Sequence, residues 1–215
     1  MGPVIEELTS GDLDEALDVS VAAFAADREF HRAFGFRKPL SPHYIRGIHH
    51  LLLLNAFAAK PHPLGVRVDE MLTGIIIYND ARGGRTLTAE QSAFISGTRF
   101  QYNLENKGFN PPSMRMYAWL AERPFPKDPF YFVTLLAVLP DAAGRGFGKT
   151  LLSAVVEKSQ NDPASTGTGI TTYSTSAAEF YRHLGFEVLK HRTIFRTNIY
   201  TMFIPNKKER TAGNL

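Results

Sequence analysis

Cysteine is absent from the 215 residues of the chain, which excludes disulfides, cysteine nucleophiles and thiolate metal sites. A large excess of charge of one sign is also missing, because 24 Lys and Arg face 21 Asp and Glu, for a net charge of +3. Much of this small excess lies in the segment KKER at 207–210. The composition therefore gives no indication of a nucleic-acid partner.

Long hydrophobic runs are missing as well. Aliphatic runs such as Leu51–Leu54 are far too short to span a bilayer, and no signal peptide opens the sequence. We therefore expect an intracellular, cytoplasmic protein without a membrane partner, acting as a monomer or homodimer. A hydrophobic content of 44% and a charged content of 21% are typical of a globular protein, and the length indicates a single domain over residues 1–215.

One stretch, residues 130–152 with the sequence FYFVTLLAVLPDAAGRGFGKTLL, organises the rest of the chain. The apolar run Phe130–Leu139 predicts a strand buried on both faces, and Pro140 ends it. An apolar helical pattern begins at Leu151. The turn between strand and helix contains three glycines at alternate positions: Gly144, Gly146 and Gly148.

A strand, a glycine-rich turn and a helix together present bare amide groups at a helix N-terminus. Such a place favours phosphate, because the amides lack partners and the helix dipole attracts negative charge. Arg145 and Lys149 add positive charge to the turn. We therefore interpret it as a phosphate or diphosphate site, rather than as a turn whose glycines only relieve strain.

A phosphate-loop NTPase is one explanation of this turn, because AGRGFGKT at 143–150 fits a relaxed form of that pattern. Such an enzyme also needs a magnesium-holding acid at the end of another strand. The best-placed acid, Asp80, lies upstream of the turn, and only residues 151–215 remain to build the rest of the sheet. The NTPase alternative is therefore the weaker one.

The turn resembles the acetyl-CoA-binding segment of the GNAT superfamily of acyl-CoA N-acyltransferases, in which Arg or Gln, two residues, Gly, one residue, and Gly or Ala follow one another. Gly146 and Gly148 occupy the glycine positions, and Val138-Leu139-Pro140 matches the segment that precedes them. Ala143 stands where the family prefers Arg or Gln. Because backbone amides hold the phosphates, we expect this departure to weaken rather than abolish binding.

A second segment, AAEFYRHLGF at 177–186, resembles the GNAT motif Ala-x-x-(Phe/Leu)-Tyr-x-x-x-Gly-Phe. It matches at Ala177, Tyr181, Gly185 and Phe186. Ser174 stands where the family often has asparagine. Tyr181 by itself would be explained as a core aromatic of a short helix, but the two motifs occur in the order that the family requires.

The resemblance implies the GNAT fold, an α/β (α+β) architecture with a mixed, mostly antiparallel sheet, flanking helices, and fourth and fifth strands that splay apart after a bulge. The strand before the turn is then the fourth, and Thr168–Tyr173 is the fifth. Residues 81–128 form a helical insert between the third and fourth strands, which we interpret either as a lid or pocket wall or as a stabilising segment. The basic tail, 205–215, is expected to fray.

The remaining elements follow from periodicity and capping signals. Asp12 and Glu15 predict a capping box, and Ser176 is the predicted cap of the helix that carries Tyr181. The predicted strands are Val4–Leu8, Val66–Glu70, Leu72–Asn79, Phe186–Lys190 and Ile199–Ile204, and the predicted helices include Asp27–Phe34, one that starts at Ser41-Pro42, and one from Gly146 to about Gln160.

The resemblance also implies roles for individual residues, with acetyl-CoA as cosubstrate. The backbone of Leu136 and Val138 would pair with pantetheine, and the Val138 N–H would polarise the thioester carbonyl. Tyr181 would protonate or hydrogen-bond the departing thiolate. The other predicted contacts of acetyl-CoA are Ala143, Gly144, Arg145, Gly146, Phe147, Gly148, Lys149, Thr150, Ser174 and Ala177.

The acceptor side is less defined. The predicted acceptor contacts are Phe34, Tyr44, Phe132, Thr134, Tyr117 and Trp119. Several branches of the family place a glutamate or histidine base at the positions of Phe132 or Thr134, and neither of these residues accepts a proton at neutral pH. A water held by Thr134 and backbone carbonyls, or an acid from the insert, would have to take this role.

The apolar fourth strand resembles that of the puromycin N-acetyltransferase-like branch, which modifies small molecules. We therefore expect acetyl transfer from acetyl-CoA to the primary amine of a small molecule by direct attack. Two alternatives stay open: a GNAT fold that binds acyl-CoA without turnover, and an acetyltransferase acting on a protein amine. His43, His49 and His50 lie near one another in sequence, but no carboxylate joins His43 and His50 at helical spacing, so we predict no metal site.

Overall fold

The computed structural model describes residues 3–35, 42–58, 60–81, 125–194 and 197–207. Seven strands of this part of the chain form one mixed sheet in the order β1-β2-β3-β4-β5-β7-β6. All neighbouring strands run antiparallel except β4 and β5, which are parallel. The strands are β1 (Val4–Glu7), β2 (Leu64–Val68), β3 (Met71–Asn79), β4 (Tyr131–Val138), β5 (Gly167–Thr172), β6 (Glu187–Ile194) and β7 (Thr197–Pro205). The predicted mixed, mostly antiparallel sheet is confirmed.

Helices cover both faces of this sheet. They are α1 (Leu13–Ala25), α2 (Arg28–Gly35), α3 (Pro42–Ala58), α4 (Phe147–Asn161) and α5 (Thr175–His183). The core between the sheet and α1 and α3 includes Leu8, Leu17, Leu53, Ile75 and Ile77. The core on the other face, under α4 and α5, includes Ile76, Val133, Leu151, Val155 and Met202. Consecutive isoleucines of β3 thus point to opposite faces, as the alternation of a strand requires.

None of the described helices is long and apolar enough to cross a membrane. The predicted insert, 81–128, lies outside the described residues except at its ends, and so does most of the tail, 205–215.

The N-terminal cap differs from the prediction. Thr9 and Asp12 form the capping box, in which the Thr9 N–H and hydroxyl both donate to the Asp12 carboxylate at 2.8 Å. Glu15 accepts instead from the Leu72 N–H at 2.8 Å and from Arg67 at 2.7 Å. The local pattern suggested Asp12 and Glu15 as partners, but Arg67, far away in the sequence, holds both carboxylates.

Strand β4 contains a bulge. Ile77 pairs with Leu135 and Tyr78 pairs with Val133, so Thr134 is an extra residue without a partner on β3. The predicted burial on both faces is therefore wrong, because Thr134 is exposed and the other side chains alternate between buried and partly exposed. The closing hairpin is also longer than predicted, since β6 continues to Ile194.

Candidate functional site

Strands β4 and β5 pair over a short length only. Their paired residues are Tyr131 with Thr168, Phe132 with Gly169, and Val133 with Ile170. Beyond this point β4 continues to Val138 and β5 to Thr172, but the two strands are no longer paired. The bulge at Thr134 lies where the pairing stops. A wedge therefore opens between the two strands, as expected for the fold.

One edge of this wedge consists of main-chain groups of β4. The Leu139 N–H donates to the Thr73 carbonyl of β3 at 2.9 Å. Because successive residues of a strand direct their amide groups to opposite edges, Val138 directs its N–H and C=O away from β3. Leu136, two residues earlier, has the same orientation. Both residues thus present a donor and an acceptor to the wedge.

The turn after β4 owes its shape to two glycines. Gly144 has φ 76° and Gly146 has φ 87°, values that are unfavourable for other residues. A Cβ atom at either position would meet no atom within 4 Å. Glycine is therefore needed here for the backbone conformation rather than for space. Gly146 is also the N-cap of α4, so this conformation sets the direction in which the helix begins.

The N-terminus of α4 presents unpaired amides. Its first intrahelical bond runs from the Thr150 N–H to the Gly146 carbonyl at 3.0 Å. The amides of Phe147, Gly148 and Lys149 precede that bond and have no helical carbonyl to which they could donate. Together with the helix dipole they form a site for an anion such as a diphosphate.

This anion site lies against the end of β4. A Cβ atom placed on Gly148 would lie 3.7 Å from a Val138 methyl, 3.9 Å from a Leu136 methyl and 3.7 Å from the Phe180 ring. The turn and the wedge edge thus belong to one continuous surface. Phe180, on α5, is 36% exposed at this place, although a large aromatic side chain is ordinarily more buried.

The other side chains of the turn divide into anchors and exposed groups. Phe147 is 6% exposed and packs into the core, while the Arg145 guanidinium lies 5.4 Å from the centre of its ring. Lys149 and Ala143 are exposed. The Thr150 hydroxyl donates to the Gly146 carbonyl at 3.1 Å and so stabilises the first turn of α4.

A groove of about 620 Å³ lies between α4 and α5, with Phe186 among the residues that line it. Lys149 and His183 border it on the two helices, and Glu157 lies further along α4. Because Lys149 belongs both to this groove and to the turn, the groove opens beside the anion site.

Ser174, not Ser176, caps α5. The Ser174 Oγ accepts from the Ala177 N–H at 3.2 Å, and Ser176 instead forms a hydrogen bond of 2.8 Å with the Ser174 hydroxyl. The prediction of Ser176 placed the cap too late, because the helix begins at Thr175 and the residue before it takes the capping conformation. Ser174 and Ala177 therefore shape the start of α5.

Tyr181 lies on the inner side of α5 and is 7% exposed. Its ring centre lies 5.3 Å from that of Phe180 and 6.0 Å from that of Phe186. Burial raises the pKa of Tyr181, because the charged phenolate is disfavoured in apolar surroundings. The phenol is therefore neutral at physiological pH.

At the paired end of β4 and β5, four phenylalanines form a cluster that we call the aromatic wall: Phe125, Phe130, Phe132 and Phe203. Ring centres are 5.0 Å apart for Phe125 and Phe130, 5.5 Å for Phe125 and Phe132, and 5.8 Å for Phe130 and Phe203. Only Phe132 was singled out from the sequence. Phe203 joins the cluster through the pairing of β5 with β7, and Phe125 and Phe130 come from the segment before β4. Local sequence patterns contain no signal for either arrangement.

Other predicted acceptor contacts are only partly described. Helices α2 and α3 include Phe34 and Tyr44, but the side chains of both residues lie outside the described part, as do Tyr117 and Trp119 entirely. Thr134 is exposed on the bulge of β4.

The histidines of α3 differ in their surroundings. His43 is exposed, whereas His49 is 2% exposed and packs edge-on against the rings of Phe24 and Phe30 at 5.1 and 5.7 Å. Burial lowers the pKa of His49 to about 4. In the part of the chain that the structure describes, no group of three or more His, Asp or Glu side chains is placed to hold a metal ion.

Comparison with known proteins agrees with this geometry. The family model of the GNAT acetyltransferase domain matches residues 116–188, which contain β4, the turn, α4, β5 and α5. No curated protein sequence matches the chain.

Solved structures share the architecture over nearly the full length. A protein from Corynebacterium glutamicum described as histone acetyltransferase HPA2 and related acetyltransferase is 21% identical with a TM-score of 0.65, covering 96% of this chain and 97% of its own. The polyamine N-acetyltransferase of Drosophila melanogaster is 11% identical with a TM-score of 0.60, covering 95% and 100%. A GNAT family acetyltransferase from Brucella melitensis, solved with acetyl-CoA, is 14% identical with a TM-score of 0.51, covering 95% and 88%.

At these identities the structural likeness concerns the fold, and the family match concerns the segment that forms the wedge and the anion site. Both agree with the two motifs and with the main-chain geometry described above. Residues 116–188 therefore match the GNAT acetyltransferase domain, and the chain has the fold of the solved acetyltransferases.

Proposed function

We propose that the chain transfers the acetyl group of acetyl-CoA to the primary amine of a small molecule by direct attack. The observation that carries this proposal is the end of β4–β5 pairing at Val133 and Ile170, which leaves the edge of β4 free up to Val138, beside the N-terminus of α4. A thioester in the wedge and a diphosphate at the turn are then held by one continuous surface.

The diphosphate is bound by main-chain groups. The amides of Phe147, Gly148 and Lys149 donate to its oxygens, and each hydrogen bond to a charged group contributes roughly 1.5–3 kcal/mol. Arg145 and Lys149, both exposed beside the turn, add attraction that salt screens. Ala143 contributes no side-chain donor, so binding rests on the backbone.

The thioester lies along the free edge of β4. Leu136 and Val138 hydrogen-bond the pantetheine amides, and the Val138 N–H stabilises the negative charge that develops on the carbonyl oxygen during attack. A fixed donor of this kind is worth about 2.7–4 kcal/mol in the transition state. The donor is preorganised because hydrogen bonds to β3 on either side of Val138 hold the strand in place.

The proton transfers complete the reaction. The amine nitrogen attacks the carbonyl carbon, the carbon–sulfur bond breaks, and the departing sulfur takes the proton of the Tyr181 hydroxyl. Tyr181 is neutral at physiological pH and so has a proton to donate, while burial, which raises its pKa, makes the phenol a weaker acid. A water molecule held by the Thr134 hydroxyl accepts the proton that the amine loses, and solvent returns a proton to Tyr181.

A second candidate function is acyl-CoA binding without turnover. It is favoured by Ala143 in the position of a phosphate-binding side chain, and by the absence of any ionisable carboxylate or imidazole in β4. A third, acetylation of a protein amine, is consistent with the histone acetyltransferase description of the C. glutamicum structure. The small-molecule proposal is in line with the polyamine N-acetyltransferase of D. melanogaster.

Release of free CoA thiol from acetyl-CoA, measured with a panel of small primary amines and with lysine and N-terminal peptides, separates these candidates. The proposal predicts amine-dependent thiol release that is faster with small amines than with either peptide. Thermal stabilisation by CoA without any amine-dependent release would support the binding-only candidate, and faster release with peptides would support the protein substrate. Stabilisation by ATP and magnesium but not by CoA would contradict all three.

A further inference from the structure

The aromatic wall lies next to the opening of the wedge. Phe132 occupies the pair with Gly169, directly before the last pair of β4 and β5. Gly169 pairs in turn with Phe203 on β7. Because paired residues of neighbouring strands share a face of the sheet, the Phe132 and Phe203 rings are on the same side. The ring distances given above confirm that they belong to one cluster.

This side is opposite to the anion site. Tyr131 and Val133 belong to the core under α4, so Phe132, which lies between them in β4, faces the other side of the sheet. The turn that holds the diphosphate leads into α4. An acceptor that attacks the thioester from the side away from CoA therefore approaches past the aromatic wall.

The wall is fitted closely to the sheet. A Cβ atom on Gly169 would lie 2.6 Å from a ring atom of Phe125 and 2.9 Å from a ring atom of Phe130, so the lack of a side chain allows both rings to lie on the strand. Phe203 is 7% exposed and forms the base, whereas Phe125, Phe130 and Phe132 keep part of their surface exposed. Because these rings pack on the sheet and keep part of their surface exposed, they form a surface on which another apolar group is able to pack.

Of the strands around the wall, β4, β5 and β7 carry no charge, and the exposed Glu187 of β6 pairs with Phe203 on the side of the wall away from β4. None of the residues of β4, β5 and β7 is Asp, Glu, Lys or Arg. An acceptor with several cationic groups would find no carboxylate on these strands, whereas a single amine on an aromatic body would bury that body against the rings. Aromatic pairs are favoured beyond the area that they bury.

From this surface, and on the basis of the proposed function, we infer that the acceptor is a primary amine attached to an aromatic group, an arylalkylamine, with its ring packed on the aromatic wall. The wall thus determines specificity, and the amino group points to the thioester in the wedge, where its neutral form attacks. Phe132, nearest to the opening, is the residue of the wall on which this selection depends most.

The first experiment compares acceptors in the thiol-release assay. The full-length protein with acetyl-CoA is given 2-phenylethylamine, agmatine or spermidine, and kcat/KM is measured for each. We expect 2-phenylethylamine to be preferred by at least about tenfold, which corresponds to 1.4 kcal/mol. Equal or faster transfer to agmatine or spermidine would overturn the inference while leaving the proposed acetyl transfer intact.

The second experiment uses Phe132→Leu, which keeps an apolar side chain but removes the ring. We expect KM for 2-phenylethylamine to rise about 3- to 10-fold, with kcat and the affinity for acetyl-CoA little changed, and KM for ethylamine to stay within about twofold. Phe57→Leu makes the same change at a partly buried ring packed among α1 and α3, and should leave all these values unchanged. Equal changes of KM for the two amines would show a merely structural role for Phe132 and overturn the inference.

The third experiment measures binding of the aromatic amine separately from catalysis. Calorimetric titration of 2-phenylethylamine into the CoA-loaded protein should show binding that Phe132→Leu weakens. Binding without any thiol release would refute the proposed acetyl transfer and retain the aromatic site. The absence of 2-phenylethylamine binding to the CoA-loaded protein would overturn the inference, even if other amines were acetylated.

Discussion

The two faces of the sheet build their parts of the site from different atoms. On the α4 face, the anion site consists of backbone amides at a helix N-terminus and of the free edge of β4. On the other face, the aromatic wall consists of side chains contributed by two strands and by the segment before β4. A main-chain site depends on backbone conformation, whereas a side-chain site depends on residue identity. The first is thus suited to a constant cosubstrate and the second to a particular acceptor.

The largest expected effect is a loss of kcat on substitution of Tyr181, which takes part in the proposed reaction but belongs to neither of these two surfaces. Tyr181→Phe removes only the hydroxyl from a side chain that is 7% exposed, so the packing against Phe180 and Phe186 should remain. We expect kcat to fall about 10²-fold or more, as for loss of a general acid, with the Kd for acetyl-CoA nearly unchanged. Steady-state kinetics and calorimetry measure the two quantities. Unchanged kcat would remove Tyr181 from the mechanism.

The second effect concerns the stability of the side-chain face. The pKa of His49 is about 4 in the folded protein, lowered by burial and only partly offset by a hydrogen bond to the Ser20 backbone, and it returns to about 6.5 on unfolding. Between these values the unfolded chain binds a proton that the folded chain does not. The free energy of unfolding should therefore be highest above pH 6.5 and fall as the pH is lowered to 4, by about 3 kcal/mol in total.

Denaturant unfolding of the wild-type chain and of His49→Gln at pH 7 and pH 4.5 isolates this contribution. The difference in stability between the two pH values should be smaller in the variant, because glutamine does not titrate. An equal difference in both proteins would show that other groups cause the pH dependence.

The third effect tests whether the α4 face depends on backbone conformation. Gly146→Ala adds a methyl group that meets no atom, but a φ of 87° is strained for alanine by about 1–2 kcal/mol. If the turn relaxes, its amides move, and the Kd for acetyl-CoA should rise about 5- to 30-fold. Calorimetric titration measures this change.

Gly185→Ala is the matched control, because Gly185 has φ 92° but follows α5 and contributes no amide to the N-terminus of α4. We expect it to lower the melting temperature without changing the affinity for acetyl-CoA. If both variants lost affinity equally, general destabilisation rather than placement of the amides would be responsible.

The smallest expected effect is a gain in affinity for acetyl-CoA. Ala143→Arg adds a side-chain donor at a position of the turn that has none, on an exposed residue beside the anion site. We expect acetyl-CoA to bind a few-fold more tightly, with an advantage that shrinks as salt rises. Ala164→Arg, which adds the same charge at an exposed turn after α4, should give no gain. Equal gains in both variants would mean that net charge alone is responsible.

The difference between the faces also explains what was predictable. Gly144 and Gly146 predict the turn, because few other residues adopt their backbone conformation. The short motif around Tyr181 indicates α5. The wall could not be predicted, because it requires the register that places Phe132 beside Gly169 and Gly169 beside Phe203. The prediction of Asp12 and Glu15 as a capping box was wrong for a similar reason, since Arg67 on β2 competes for both carboxylates.

The burial of β4 shows the same limit of prediction from a local sequence pattern. A continuous apolar run predicts burial on both faces, but the bulge at Thr134 exposes one residue and ends the pairing with β5 at Val133. A bulge is a property of two strands in register, and the sequence of one strand does not contain it. The resemblance to a family with splayed strands was the only indication of the wedge.

The most direct test of the account is a crystal structure of the protein with acetyl-CoA. We expect the diphosphate oxygens within hydrogen-bonding distance of the amides of Phe147, Gly148 and Lys149, and the thioester carbonyl beside the N–H of Val138. A complex in which the diphosphate lies away from this turn, or in which β4 and β5 remain paired up to Val138 with no thioester between them, would contradict it.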